Sequence, residues 1–182
     1  VQILTIVLIH GVGHVGALAG RNDQLARGLG GSGLRRGGND LLGGLIIVQK
    51  VLQCLNIHDP VGVVHQAVIH ARAEEQALEK GFRDSFDLVT ARAVAELRLL
   101  CELCLPYVKL GGAFLAMKSV DCGRELEEAA HCIKLLGARL EECRDYTIPG
   151  TDVIHRLVVL RKVAPTLKGY PRRWAKIQKA PL

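Results

Sequence analysis

Ten consecutive residues, Phe86-Asp87-Leu88-Val89-Thr90-Ala91-Arg92-Ala93-Val94-Ala95, constrain the fold of this chain more than any others. They read as a strand that runs directly into a helix. Phe86, Leu88 and Val89 are apolar and suit a pleated, half-buried surface. Thr90-Ala91-Arg92 then falls at the carboxyl end of the strand, where open α/β sheets bind their ligands.

The rest of the chain repeats the alternation. Strands are predicted over 2–9, 61–70, 86–91, 113–118, 139–148 and 155–163, and helices over 71–81, 94–108 and 124–136. In the second helix Val94, Leu97, Leu100, Cys101, Cys104 and Leu105 fall on one face. Gly111-Gly112 is expected to turn the chain, and Gly137 to stop the third helix. Strands alternating with helices indicate βαβ units and a mostly parallel, doubly wound sheet. The last two predicted strands are joined by Pro149-Gly150-Thr151-Asp152, too short for a crossover helix, so they should pair antiparallel. Aromatic residues make up 4% of the 182-residue chain against 49% apolar overall, so the core is aliphatic, which suits this class.

Residues 1–70 differ in character from the remainder. They hold thirteen of the twenty glycines and no glutamate. Val1 to Ile9 is apolar but short and reads as a strand, not as a signal or a membrane span. Gly11, Gly13 and Gly16 come directly after it as G-x-G-x-x-G, a spacing that lets backbone approach a phosphate-bearing or nucleoside cofactor. A Gly-rich segment produces that spacing often. Two candidates, Asp40 and Asp59, could supply the carboxylate that accepts both ribose hydroxyls. The shift in composition fits either a glycine-rich cofactor region or a segment foreign to the rest of the chain.

Charge is concentrated at the other end. The net charge is +6, yet from Arg161 onward there are seven basic residues and no acidic one. With Tyr170 and Trp174 interleaved, that segment suits phosphate contact with stacking, or a solvated tail. Cys101 and Cys104 form a C-x-x-C pair inside an apolar helical stretch; with no second pair at zinc-ribbon spacing they read as small buried residues. The six cysteines are expected to be reduced thiols of a cytoplasmic protein. No pairing of the histidines suggests a metal site.

Four blocks, from about His70 to the end of the chain, resemble a known family. They are His70-Ala71-Arg72-Ala73-Glu74-Glu75; residues 86–95; Leu103-Cys104-Leu105-Pro106-Tyr107-Val108-Lys109-Leu110-Gly111-Gly112; and Tyr170-Pro171-Arg172-Arg173 with Lys179-Ala180-Pro181-Leu182. Their order and spacing are similar to those of the bacterial methyltransferases that modify N7 of a guanine in 16S rRNA, the ribosomal RNA small subunit methyltransferase G family. The resemblance implies a Rossmann-like class I methyltransferase domain over 1–163, with 1–69 atypical, and a basic C-terminal tail over 164–182. It implies S-adenosyl-L-methionine as cofactor and 16S rRNA or the small ribosomal subunit as partner, with no membrane and a monomeric protein. Ala73 and Glu74 match the family's contacts to the adenine end. Arg92 matches its cofactor-contacting arginine, whose guanidinium can hold the methionine carboxylate as a fork; an ion pair to Glu96 is the structural alternative. Gly11 and Gly13 would approach the cofactor, although His10 stands where the family has an acidic residue and no Phe-Pro comes after them. Lys118, Arg172, Arg173 and Lys176 are the candidate RNA contacts.

N7 of guanine carries a lone pair and no proton, so methyl transfer to it needs no general base and no catalytic residue is expected. Two other readings stay open on the sequence alone: a non-catalytic RNA-binding remnant of the same fold, and a nicotinamide-dependent oxidoreductase using the Gly11 loop.

Overall fold

The computed structural model describes residues 6–9, 71–92, 95–147 and 151–182. All of them belong to one of the two compact units into which the chain divides, Val1–Val12 with Val61–Leu182. The predicted strand over 61–70, the Gly11 loop, Asp40, Asp59 and Cys54 lie outside the described residues.

The described elements are β1 (Ile6–Ile9), α1 (Ala73–Gln76), β2 (Phe86–Arg92), α2 (Leu97–Cys104), a 3-10 turn (Leu105–Tyr107), β3 (Val108–Ser119), α3 (Gly123–Leu135), β4 (Ala138–Thr147), β5 (Ile154–Lys162) and α4 (Trp174–Lys179). The strands form one mixed sheet in the order β1-β2-β3-β5-β4. β2 and β3 are parallel and connect through α2, so the predicted strand-to-helix unit is present. β4 and β5 pair antiparallel as their short link requires. β3 is the middle strand, and Gly112 to Lys118 is continuously buried, as expected of a strand covered on both faces.

The apolar periodicity of α2 reports its inward face correctly. Leu97, Leu100, Cys101, Cys104 and Leu105 are all fully buried; Val94 lies outside the described residues. Together with Val89, Ala91, Phe114, Ala116, Cys132, Leu136, Val158 and Leu160 they form an aliphatic core between the sheet and α2 and α3. α3 ends as predicted. Gly137 takes φ +75° and its N–H donates to the Lys134 carbonyl at 3.1 Å. Its own carbonyl accepts from the Val163 and Ala164 amides at 2.8 and 3.0 Å, so the same glycine stitches the helix end to the strand exit.

The helix predicted over 71–81 is confined to Ala73–Gln76 and continues as turns, and three other features depart from the sequence reading. First, Gly111-Gly112 does not turn the chain; it lies inside β3, which starts at Val108, directly after the 3-10 turn that carries Pro106. The glycines build a bulge: the register runs Phe86↔Val108 and then Leu88↔Ala113. Gly111 has φ +81°, and a Cβ on Gly112 would stand 2.7 Å from the Asp87 carbonyl oxygen, so neither position suits a larger residue. Second, β2–β3 is the one parallel pair among the described strands, and the other three pairs are antiparallel. β1 runs against β2, with Ile6 opposite Ala91 and Ile9 opposite Leu88. Its carboxyl end therefore heads toward the end of the sheet where β2 begins.

Third, the basic segment after β5 packs onto the domain. Arg83 donates from Nη1 to the Tyr170 carbonyl (2.7 Å) and from Nη2 to those of Thr166 and Leu167 (3.0 Å each). Lys162 is buried and donates to the Leu105 carbonyl at 2.7 Å and to the Thr166 hydroxyl, with Asp84 Oδ1 at 3.2 Å. Burial pulls its ammonium pKa down, opposed by the Asp84 carboxylate. Ile177 is fully buried, with Tyr170, Trp174 and Leu182 packed against the same core.

Candidate functional site

The carboxyl ends of β2 and β3 lie side by side, and the sequence reading placed its main ligand contacts there. Arg92 is the last residue of β2 and pairs in register with Met117, one residue before Lys118. Thr90, two residues earlier, is buried. The entry to α2, at Ala95 and Leu97, is held by side chains from two other elements. Lys118, with 7% of its side chain exposed, donates from Nζ to the Ala95 carbonyl at 2.9 Å and pairs with Glu125 Oε2 at 2.6 Å. The same Glu125 oxygen accepts the Leu97 amide at 2.9 Å. Glu96, the alternative partner considered for Arg92, accepts from Arg98 Nη2 at 3.1 Å.

Ala73 and Glu74 open α1. The Ala73 carbonyl accepts from the Tyr107 hydroxyl at 2.7 Å, which ties α1 to the chain entering β3. Burial pushes the Tyr107 phenol well above its ordinary value, so it stays a donor. Glu74 is buried and accepts from Arg72 Nε at 2.8 Å. The Gly11 and Gly13 candidates fall outside the described residues, and β1, the strand before them, leads away from the Arg92 end of the sheet.

The candidate RNA contacts separate into two kinds. Arg172 turns inward. Its backbone N–H and Nε donate to Glu102 Oε1 at 2.9 and 2.8 Å, and Nη2 donates to Oε2 at 2.7 Å. Glu102 is fully buried in α2, and its carboxylate raises the Arg172 guanidinium further above its ordinary value. Arg173 and Lys176 are exposed. With Lys179 they are spaced by three along and before α4, and so share one face, while Trp174 and Ile177 turn toward the core. Lys118, as described, is enclosed by two protein acceptors.

Cys101 and Cys104 are fully buried, and burial raises both thiols well above the ordinary range. Among the described residues no cluster of three or more His, Cys, Asp or Glu side chains is arranged to hold a metal ion, and no helix is long and apolar enough to cross a membrane. Sequence reading did not single out Glu125, Glu102, Arg83 or Asp84. Glu125 joins Lys118, seven residues back, to the Leu97 amide 28 residues back, and the hydrogen-bond partners of Glu102, Arg83 and Asp84 lie 70 to 87 residues away, beyond the reach of periodicity or local spacing.

Comparison with known proteins bears on the same stretch. A family model described as rRNA small subunit methyltransferase G (GidB) matches residues 51–149. The ribosomal RNA small subunit methyltransferase G of Clostridium beijerinckii is 43% identical over 122 residues, 67% of this chain and 51% of that protein. The protein of the same name from Lachnoclostridium phytofermentans is 47% identical over 116 residues, 64% of this chain and 48% of its own. That from Clostridium novyi is 39% identical over 142 residues, 76% of this chain and 58% of its own. The chain thus spans about half the length of the curated relatives it matches.

Proposed function

Because the chain belongs to the rRNA small subunit methyltransferase G (GidB) family, we propose that it acts as an S-adenosyl-L-methionine-dependent methyltransferase on N7 of a guanine in 16S rRNA. The observation that carries this reading is the junction at the carboxyl ends of the parallel pair β2–β3, where Arg92 closes one strand and Lys118, at the end of the other, holds the entry to α2 at Ala95. A ligand crevice outside the carboxyl ends of adjacent parallel strands is the general expectation for open α/β sheets. The doubly wound class I methyltransferase sheet, a cytoplasmic location and a monomeric state are parts of the same proposal.

The residues present fit the cofactor in two respects. Arg92 stands at a strand end, where a guanidinium can clamp a carboxylate with two parallel hydrogen bonds. Ala73-Glu74 supplies a short helical turn that Tyr107 fixes in place, suited to receive a nucleoside edge. When bound, S-adenosyl-L-methionine supplies a methyl group on a sulfonium, already activated for transfer. The protein's task is to place the guanine N7 lone pair in line with that methyl and to exclude competing geometries. N7 bears no proton, so no side chain has to remove one. It lies on the Hoogsteen edge and is reachable once the base is unstacked.

For the RNA, the proposal assigns phosphate contact to the outward face formed by Arg173, Lys176 and Lys179, and a bracing role to Arg172 and Lys118. Family membership does not favour the oxidoreductase reading. The test is transfer of labelled methyl from S-adenosyl-L-methionine to small ribosomal subunits that lack the N7 modification. Label should appear at a single guanine of 16S rRNA and vanish with Arg92→Ala; no incorporation above a protein-free control would count against the assignment.

A further inference from the structure

We infer that Lys118 and Glu125 are positioning residues for the connection between β2 and α2, a role distinct from RNA contact. The inference rests on the reading of that connection as part of the cofactor site. The N–H groups of a helix's first turn have no partner within the helix and must find one elsewhere. The cap residue of α2, Glu96, makes no side-chain capping bond. The first helical amide, Leu97 N–H, is instead satisfied by Glu125 Oε2, which reaches across from the first turn of α3 at 2.9 Å. Two residues back, the Ala95 carbonyl is satisfied by Lys118 Nζ from the end of β3. Both ends of the Ala95–Leu97 backbone are therefore tied to one ion pair.

That pair is not an optional surface contact. The Lys118 side chain is 7% exposed, and an ammonium so enclosed is tolerable only when it is paired and hydrogen-bonded. Its two acceptors come from different elements, so satisfying the charge joins the end of β3, the entry to α2 and the start of α3. Arg92 sits in the register position next to Met117, immediately beside this junction. The tied backbone begins at Ala95, three residues after Arg92 in the sequence. An ordinary stabilising ion pair would be indifferent to ligand affinity; a positioning pair is not.

The experiment uses the full chain and the variants Glu125→Ala and Glu125→Gln. Binding of S-adenosyl-L-methionine is measured by calorimetry, and amide exchange is followed by mass spectrometry over residues 95–97, with the β4–β5 hairpin as the internal report of folding. Glu125→Ala should weaken binding roughly tenfold or more, the loss expected when a charge-assisted hydrogen bond that holds a site is removed. Exchange should quicken at residues 95–97 and not in the hairpin. Glu125→Gln, which keeps an acceptor oxygen for the Leu97 N–H but loses the charge opposite Lys118, should fall between. Unaltered affinity in Glu125→Ala, or unaltered exchange at residues 95–97, overturns the inference. If the unaltered chain does not bind the cofactor, the methyltransferase reading fails. The exchange result then decides the brace by itself: quickening confined to residues 95–97 upholds it, and no local change overturns it.

Discussion

Replacing Arg172 with alanine should destabilise this protein far more than the loss of one basic residue from a tail would suggest. Two of the three hydrogen bonds to Glu102 come from the Arg172 side chain, and the third, from its backbone amide, depends on the segment staying docked. Glu102 has no solvent exposure. Removing the guanidinium therefore leaves a buried carboxylate without a countercharge, which costs about 3–5 kcal/mol. For a chain of this size each kcal/mol moves the melting temperature by about 2–4 °C, so a drop of about 6–20 °C is expected. Urea unfolding followed by circular dichroism measures the free energy directly. The double variant Arg172→Ala with Glu102→Leu should recover much of the loss, because the orphaned charge is gone; that non-additivity is the signature of a coupled pair. A loss below about 1 kcal/mol in Arg172→Ala is the range of exposed ion pairs and would refute the reasoning.

Three further outcomes are expected from the same structure. Gly137→Ala forces a left-handed φ on a residue with a Cβ and sets that Cβ 2.3 Å from the Ala164 carbonyl oxygen; it should cost about 2–4 kcal/mol, read by denaturant unfolding, while Gly123→Ala, where a Cβ meets nothing within 4 Å, should be close to neutral. Among the described cysteines, Cys143 is exposed and Cys101, Cys104, Cys122 and Cys132 are buried. A thiol reagent at neutral pH should label Cys143 in the folded protein and the other four only in denaturant, as peptide mass spectrometry would show; early labelling of Cys101 or Cys104 would contradict the core assignment. Lys162 has its pKa lowered by burial from the ordinary 10.5. In the window between the lowered value and 10.5 the unfolded chain binds more protons at this site, so stability rises with pH there and is lost as pH falls through the folded value. The difference in unfolding free energy between the protein and Lys162→Met should show that rise, and a flat difference would contradict it.

What the sequence made legible, and what it did not, divides along the range of the interactions. The 3.6-residue spacing in α2 identified five fully buried residues, and the glycine after α3 marked its end, because both signals are local. The short link after β4 settled the antiparallel pairing of the last strands through chain length alone. Gly111-Gly112 misled because glycine pairs serve turns and bulges equally; the close passage of the Asp87 carbonyl decides between them, and it is a contact across strands. The basic run at the carboxyl end read as a phosphate-contacting or solvated tail, without distinction among its residues, for a related reason. Charge count does not tell Arg172, which is clamped onto Glu102 70 residues away, from Arg173, which faces outward. Lys118 belongs to the same class: its two acceptors, Ala95 and Glu125, lie outside its own strand. Arg92 was placed correctly at a strand end because strand, polar end and helix succeed one another within a few residues.

The direction of β1 gives the central claim its sharpest test. The strand before the Gly11 loop heads away from the Arg92 end of the sheet, whereas cofactor binding needs backbone and side-chain groups to converge there. The measurement is calorimetric titration of the purified chain with S-adenosyl-L-methionine, with Arg92→Ala alongside. The methyltransferase account predicts saturable one-to-one binding that Arg92→Ala removes while the fold, followed by circular dichroism, is retained. A folded protein that takes up no S-adenosyl-L-methionine, or one that binds it equally well without Arg92, would contradict the account and leave a domain that keeps the family's carboxyl-terminal scaffold without its cofactor site.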